Sequence, residues 1–285
     1  MTKLMVIPSH LNEWLEDADA YLLGYQSLSI NFLETVSFEQ IEQIYSKLKS
    51  QGKQLFIALN KNFHNHELEQ VKEAMIRLSQ LGIDGILYYD VAVVQLKNEY
   101  KIDIPLIWGA EHLTTNYATM NYWHTKGVDM VSISGEITNQ EILEIRNATD
   151  MPLIVPAFGH LPMFVSERHE VKNYLNYFGL KDNSKLYYME KEGKKYPIID
   201  NQEGTFVYSY LILNAYQEYL DWKEKNIDYV TLNENFIDPV IFKKVVHLFK
   251  SETGNDTMID DLLEGKTDKG FLYKETVYQV KKYEE

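Results

Sequence analysis

No cysteine occurs in the 285 residues. That excludes disulfides, thiolate zinc sites, a cysteine nucleophile and an iron–sulfur cluster held by this chain's own thiolates. It also fits a reducing compartment, and the cytoplasm is the expected location. Long apolar runs are missing too: none approaches the roughly 20 residues that a membrane helix requires. Met1 to His10 is too short and too strand-like for a secretory leader. Positive charge is scarce, with 28 Lys and Arg against 42 Asp and Glu, a net charge of −14. Phosphate backbones are gripped by basic surfaces, so unaided nucleic-acid binding is disfavoured. Neither a G-x-G-x-x-G nor a P-loop pattern occurs, which removes two common phosphate cradles.

What is present is enough to fold. Apolar residues make up 45% of the chain, which supports a core and argues against global disorder. The stretch Pro152 to Arg168 organises the reading. It opens with apolar, partly β-branched Leu153, Ile154 and Val155, the mark of a buried strand. It then passes Gly159 and Pro162, which read as turn punctuation, and carries His160, Ser166, Glu167 and Arg168. A buried strand emptying into a polar loop is how α/β proteins build sites.

Around it the chain alternates. Strands are predicted over Lys3–Pro8, Ala20–Gly24, Lys53–Leu59, Gly85–Tyr89, Pro105–Trp108, Asp129–Ile133, Leu153–Ala157 and Asp228–Leu232. Helical periodicity falls between them. A helix from Ser37 has Gln40 at the capping-box position, and one from Thr138 has Glu141 there. Further helices are expected over Glu67–Leu81, Asp90–Tyr100, Asn116–Lys126, Leu211–Lys225 and Pro239–Lys250, with one turn at Leu11–Glu16. Within residues 160–210, Lys195–Ile199 and Thr205–Ser209 flank DNQEG and read as a hairpin. Eight strands at roughly 25-residue spacing predict a (β/α)8 TIM-like barrel, with a loop and β-hairpin inserted after strand seven. The barrel is expected over residues 1–255, and residues 256–285 form a tail that packs on it. A doubly wound open sheet is the alternative.

In a barrel, function gathers at the carboxyl ends of the strands. Polar residues crowd those exits: Ser9 and His10, then Asn60, Asn62, His64 and His66, then Asp90. Glu111, His112, Thr114 and Asn116 follow, then Ser134 and Glu136, His160, and finally Asn233 and Glu234. Glu111, Glu136 and His160 are the candidate catalytic groups, as acids and bases across a pocket. Asn60, Asn116, Ser166 and Arg168 are candidate ligand-binding residues, with the Arg168 fork suited to an anion. Imidazoles with carboxylates can also hold a divalent metal and activate water, which makes His10, His64, His112 and His160 the candidate ligands. Barrel metallohydrolases usually take a His-x-His from the first strand, whereas His64-Asn65-His66 follows the third, so no metal is the preferred reading. Capping and loop-stabilising roles compete for each carboxylate. Ser134 and Ser166 lack a nucleophile-elbow context.

Several segments together resemble one family. They are Trp108-Gly109-Ala110-Glu111 with Thr115-Asn116, Ser134-Gly135-Glu136-Ile137-Thr138, and Glu144-Ile145-Arg146 with Thr149-Asp150. Phe158-Gly159-His160-Leu161-Pro162-Met163, Ser166, Arg168, Tyr196-Pro197-Ile198, Glu203-Gly204-Thr205, Ser209 and Thr267-Asp268-Lys269-Gly270-Phe271-Leu272 continue the series. The chain is identified by them as similar to the collagenase-like peptidase family U32, which includes tRNA and rRNA hydroxylation proteins. The resemblance implies a TIM-like barrel. Members with redox chemistry carry a Gly-x-Leu-Cys and a Ser-Gly-Arg-Cys whose cysteines hold an iron–sulfur cluster; here those positions read Pro162 and His169. The resemblance therefore implies a non-cluster subunit with no cofactor of its own. It would pair with a cysteine-containing paralogue, support prephenate-dependent hydroxylation of the tRNA wobble uridine, and meet tRNA only through that complex. A peptidase or hydrolase acting on peptides or collagen-like substrates is the family-name alternative. A barrel holding a small carboxylate with Arg168, His160, Glu111 and Asn116 is another.

Overall fold

Period-two alternation inside apolar runs decides which side chains fill the barrel and which meet the helices. Four strands show the rule first: β1 (Lys3–Ile7), β2 (Ala20–Tyr25), β4 (Gln54–Leu59) and β5 (Gly85–Tyr88), with the two-residue β3 (Thr35–Val36) paired to β2 off the main path. Met5, Ala20, Leu22, Phe56, Ala58 and Leu87 form one inner cluster, closed by Ile107, Ile154 and Tyr229. Their alternates Leu4, Val6, Tyr21, Leu23, Leu55, Ile57 and Leu59 face outward into a larger cluster with the helices. Strands buried on both faces read as near-continuous hydrophobic runs, and these do.

The computed structural model describes residues 1–182 and 186–274. The wall continues through β6 (Leu106–Trp108), β7 (Met130–Ser132) and β8 (Leu153–Ser166). Later in the chain come β9 (Tyr187–Lys191), β10 (Lys194–Asn201) and β11 (Gly204–Asn214), then the last wall strand β12 (Tyr229–Asn233), and β13 (Thr267–Asp268). β1, β2, β4, β5, β6, β7 and β8 pair in parallel in chain order. β12 pairs in parallel with both β8 and β1, which closes eight strands into a barrel.

Outside the wall lie α1 (Phe38–Ser50), α2 (Leu68–Leu81), α3 (Ala92–Tyr100), α4 (Tyr117–His124) and α5 (Asn139–Ala148). They are followed by α6 (Glu170–Tyr177), α7 (Tyr216–Glu224), α8 (Pro239–Ser251) and α9 (Asp256–Leu262). Both capping boxes form: Ser37 N–H donates to Gln40 Oε1 at 2.8 Å, and Thr138 N–H to Glu141 Oε2 at 2.7 Å.

The insertion differs from its expectation at its root. Gly159 and Pro162 do not end strand seven. β8 runs on to Ser166 and pairs antiparallel with β11, and β11 with β10, and β10 with β9. Pro162 sits opposite Tyr208, between two register irregularities, where its missing N–H costs the ladder least. The residues expected to open a helix at Leu211 are strand instead. Ile212 lies opposite both His160 and Thr267, so β11 is held on two sides and the helix begins only at Tyr216. Leu11–Glu16 is irregular backbone with a bend at Leu11 and Asn12, not a helical turn. Lys53 Nζ donates to the carbonyls of Leu15, Glu16 and Ala18, and Tyr21 Oη donates to Leu15 O, so tertiary contacts claim those groups first. The end of the predicted tail, residues 275–285, lies outside the described residues.

Gly159 is where β8 leaves the wall. Its φ of +120° is open to glycine and strained for other residues, and a Cβ there would lie 2.7 Å from the Asn233 carbonyl oxygen. Gly159→Ala is therefore expected to destabilise the fold by about 1–3 kcal/mol, lowering the urea midpoint with an unchanged slope. An unchanged midpoint would contradict this account of the crossing.

Candidate functional site

The wall's carboxyl ends surround a cavity of about 390 Å³. Its lining draws on nearly every strand exit: Asn31 after β2, Asn60 after β4, Tyr89 after β5, Glu111 after β6, Ser134 and Glu136 after β7, His160 on β8, and Asn233 at the end of β12. The insertion forms one side through Tyr196, Tyr208, Ser209 and Tyr210.

Glu111 lies at the centre of the polar network. The β6 strand ends at Trp108, and two small residues, Gly109 and Ala110, carry the chain to it. Tyr89 Oη donates to Glu111 Oε1 at 2.6 Å, and Asn31 Nδ2 donates to the same oxygen at 2.7 Å. Burial pushes the Glu111 carboxyl above its ordinary range, the nearby Glu136 adds to this, and Tyr89, Asn31 and His112 oppose it. Burial likewise pushes the Tyr89 hydroxyl well up, with Glu111 beside it, so the phenol stays a donor. Asn31 can point here because its backbone adopts a left-handed φ of 68°, which asparagine tolerates. Asn235 Nδ2 ties down the Asn31 carbonyl at 3.1 Å.

His160 faces the same cavity from β8 and is 7% exposed. Its Nδ1 lies 2.6 Å from the Ser209 carbonyl, so Nδ1 carries the proton and Nε2 is an acceptor. Burial lowers its pKa, opposed by that hydrogen bond, so the ring stays neutral. Asn60 is buried and structural in its contacts: Oδ1 accepts from Ile30 N and Nδ2 donates to Ile30 O. Glu136 pairs with His112 Nδ1 at 3.1 Å, both well exposed.

The fold thus brings Asn60, Glu111, His112, Glu136 and His160 together, and places the other candidates elsewhere. Asn116 caps α4, accepting from Thr119 N at 2.9 Å. Ser166 Oγ accepts from Arg168 N at 3.1 Å at the far end of β8, and the Arg168 side chain is exposed outside the cavity. The set Arg168, His160, Glu111 and Asn116 therefore does not converge on one ligand. The four candidate metal ligands do not converge either: His112 and His160 line the cavity, but His10 lies 3.4 Å from Glu234 and His64 lies 3.8 Å from Glu167, neither on the cavity wall. Among the described residues no group of three or more His, Asp or Glu could hold a metal ion. Sequence reasoning missed Asn31, Tyr89, Tyr208 and Asn235. The first sits in an irregular loop, and nothing local marks a tyrosine whose value is a contact 22 residues away.

A closed parallel barrel with a polar cavity at its carboxyl face belongs to the class of TIM-type barrels. The chain belongs to peptidase family U32, whose family model matches residues 11–283. It is 26% identical to the tRNA hydroxylation protein P2 of Bacillus subtilis (strain 168), over 92% of this chain and 93% of that protein. It is 26% identical to the tRNA hydroxylation protein P of Escherichia coli (strain K12), over 56% of this chain but 36% of that longer protein. Among solved structures it is similar to the U32 peptidase Mk0906, with a TM-score of 0.52 and 12% identity, covering 84% of this chain and 95% of that one.

An iron–sulfur cluster does not fit the residues present. No thiolate exists in the chain, Pro162 offers no donor, and His169 Nδ1 faces Asp200 at 3.4 Å.

The raised Glu111 carboxyl has a consequence for stability. An acid whose folded pKa is raised binds its proton more tightly in the folded state, so stability falls as pH rises from the unfolded value toward the folded one. From about pH 4.5, the ordinary glutamate value, upward, the wild-type chain should lose stability relative to Glu111→Gln, which keeps an oxygen for Tyr89 and Asn31. Urea midpoints for both proteins across pH check this, and parallel curves would refute it. The lowered His160 acts with the opposite sign and cancels in the comparison.

Proposed function

We propose that this chain supports hydroxylation of tRNA as a subunit without a cluster, acting beside a cysteine-containing member of the same family. One observation carries the reading: the match to the Bacillus subtilis tRNA hydroxylation protein P2 spans nearly the whole of both chains, while this chain has no cysteine to hold redox iron. The electron-transfer chemistry then belongs to the partner. The wobble uridine is the proposed target and prephenate the proposed source of the hydroxylation requirement, as the family resemblance implies. A net charge of −14 suits a chain that meets RNA through a partner rather than one that grips phosphates itself.

The insertion offers a surface for that partner. Met163, Phe164 and Val165 on β8 and Tyr188 and Met189 on β9 are all exposed. Apolar side chains concentrated on a projecting sheet are a common mark of protein contact. Among the described residues β9 is also the last strand of the sheet path, joined to β10.

Tagged chain expressed beside its cysteine-containing paralogue is expected to co-purify with it at a fixed ratio. Deletion of this chain should abolish or sharply reduce hydroxyuridine in digested tRNA measured by mass spectrometry. Phe164→Asp with Tyr188→Asp should release the partner without unfolding the barrel. Absence of a complex together with normal hydroxyuridine in the deletion would end this reading.

A further inference from the structure

The cavity has an unmatched side. The donors around Glu111 are already engaged within the protein: Tyr89 Oη and Asn31 Nδ2 on Glu111 Oε1, Asn60 Nδ2 on Ile30 O, and Ser209 Oγ on Leu211 O at 2.6 Å. Among the described residues, two acceptors have no protein partner, namely Glu111 Oε2 and His160 Nε2. Both residues line the same cavity. The inner wall brings no lysine or arginine to answer Glu111; His112, the imidazole nearest in effect, is exposed and paired with Glu136 at 3.1 Å. The two lysines among the lining residues are exposed; Lys274 pairs with Asp268 at 3.1 Å, and Lys194 lies over the Tyr210 ring. Ser132, Thr231 and Asn233 are uncharged. Neither acceptor is sealed off from the cavity, so a ligand's donors can reach both, and a carboxylate in so enclosed a setting is costly without them.

We propose that this cavity binds a small organic cation bearing N–H donors, an amine or a guanidine, with Glu111 as its counter-ion and His160 Nε2 as its second acceptor. A volume of about 390 Å³ admits a molecule of metabolite size. Tyr89 and Asn31 do not touch the ligand. They hold Glu111 Oε1 so that Oε2 is left for it, and so act as positioning residues. The same chemistry makes the cavity a poor anion site: a carboxylate would meet Glu111 and Glu136, while Lys194, Lys274 and His112 are exposed and already engaged by the Tyr210 ring, Asp268 and Glu136. The inference rests on the cavity alone and is independent of the role in tRNA hydroxylation.

Isothermal titration of the purified full-length chain tests it directly. Agmatine and putrescine are the cationic probes, succinate the anionic one and ribose the neutral hydroxyl one. At least one cationic probe should bind, and succinate and ribose should not. Glu111→Gln should weaken that binding by roughly tenfold to a hundredfold, as loss of a charged hydrogen bond does. His160→Leu should weaken it as well, and His160→Gln, which restores an acceptor, should recover part of it. Circular dichroism melts confirm that each variant is folded before it is titrated. Binding of succinate in preference to the amines, equal binding of ribose, or no heat from either cation would each overturn the proposal. So would amine binding that survives both Glu111→Gln and His160→Leu.

Discussion

Everything at the carboxyl face depends on how tightly β8 crosses β12. The Asn233 carbonyl oxygen occupies the place where residue 159 would carry a side chain, and glycine alone leaves room for it. That approach closes the barrel, since β12 pairs with β8 on one side and β1 on the other. It also frees β8 to continue beyond the wall as the root of the insertion. One strand thus belongs to two structures, and His160, the residue after the crossing, is aimed into the cavity by both.

The polar network follows from that geometry. A carboxylate at Glu111 is expensive to bury, and its surroundings reduce the cost from one side only. Tyr89 and Asn31 serve a single oxygen, while the other faces the cavity. On the opposite wall the Ser209 carbonyl holds His160 neutral with its acceptor nitrogen unmatched. Such half-satisfied polar pairs are more costly than an apolar lining would be. A ligand that brought donors to both would offset that cost.

The family resemblance implies cluster cysteines at the positions where this chain has Pro162 and His169. Pro162 serves the irregular β8–β11 ladder, and His169 lies beside Asp200, which accepts from Val171 N and Thr205 Oγ1 and so anchors the start of α6. Both positions have taken up structural work in the insertion.

Local signals in the sequence determined the wall. Apolar runs of β-branched residues marked each barrel strand, and Ser37 with Gln40 and Thr138 with Glu141 announced two helix starts, because burial pattern and capping act over a few residues. Glu111, Glu136 and His160 were legible as strand exits for the same reason. Tertiary structure alone decided the rest. Gly159 and Pro162 look like turn residues, yet the pairing of β8 with β11 overrides that tendency. Leu211 to Asn214 are strand because β8 and β13 flank them. Arg168 and Asn116 lie close in sequence to site residues but face away from the cavity. Asn31 and Tyr89 became site residues only when barrel closure brought their distant exits to one carboxylate, a contact that no local pattern encodes.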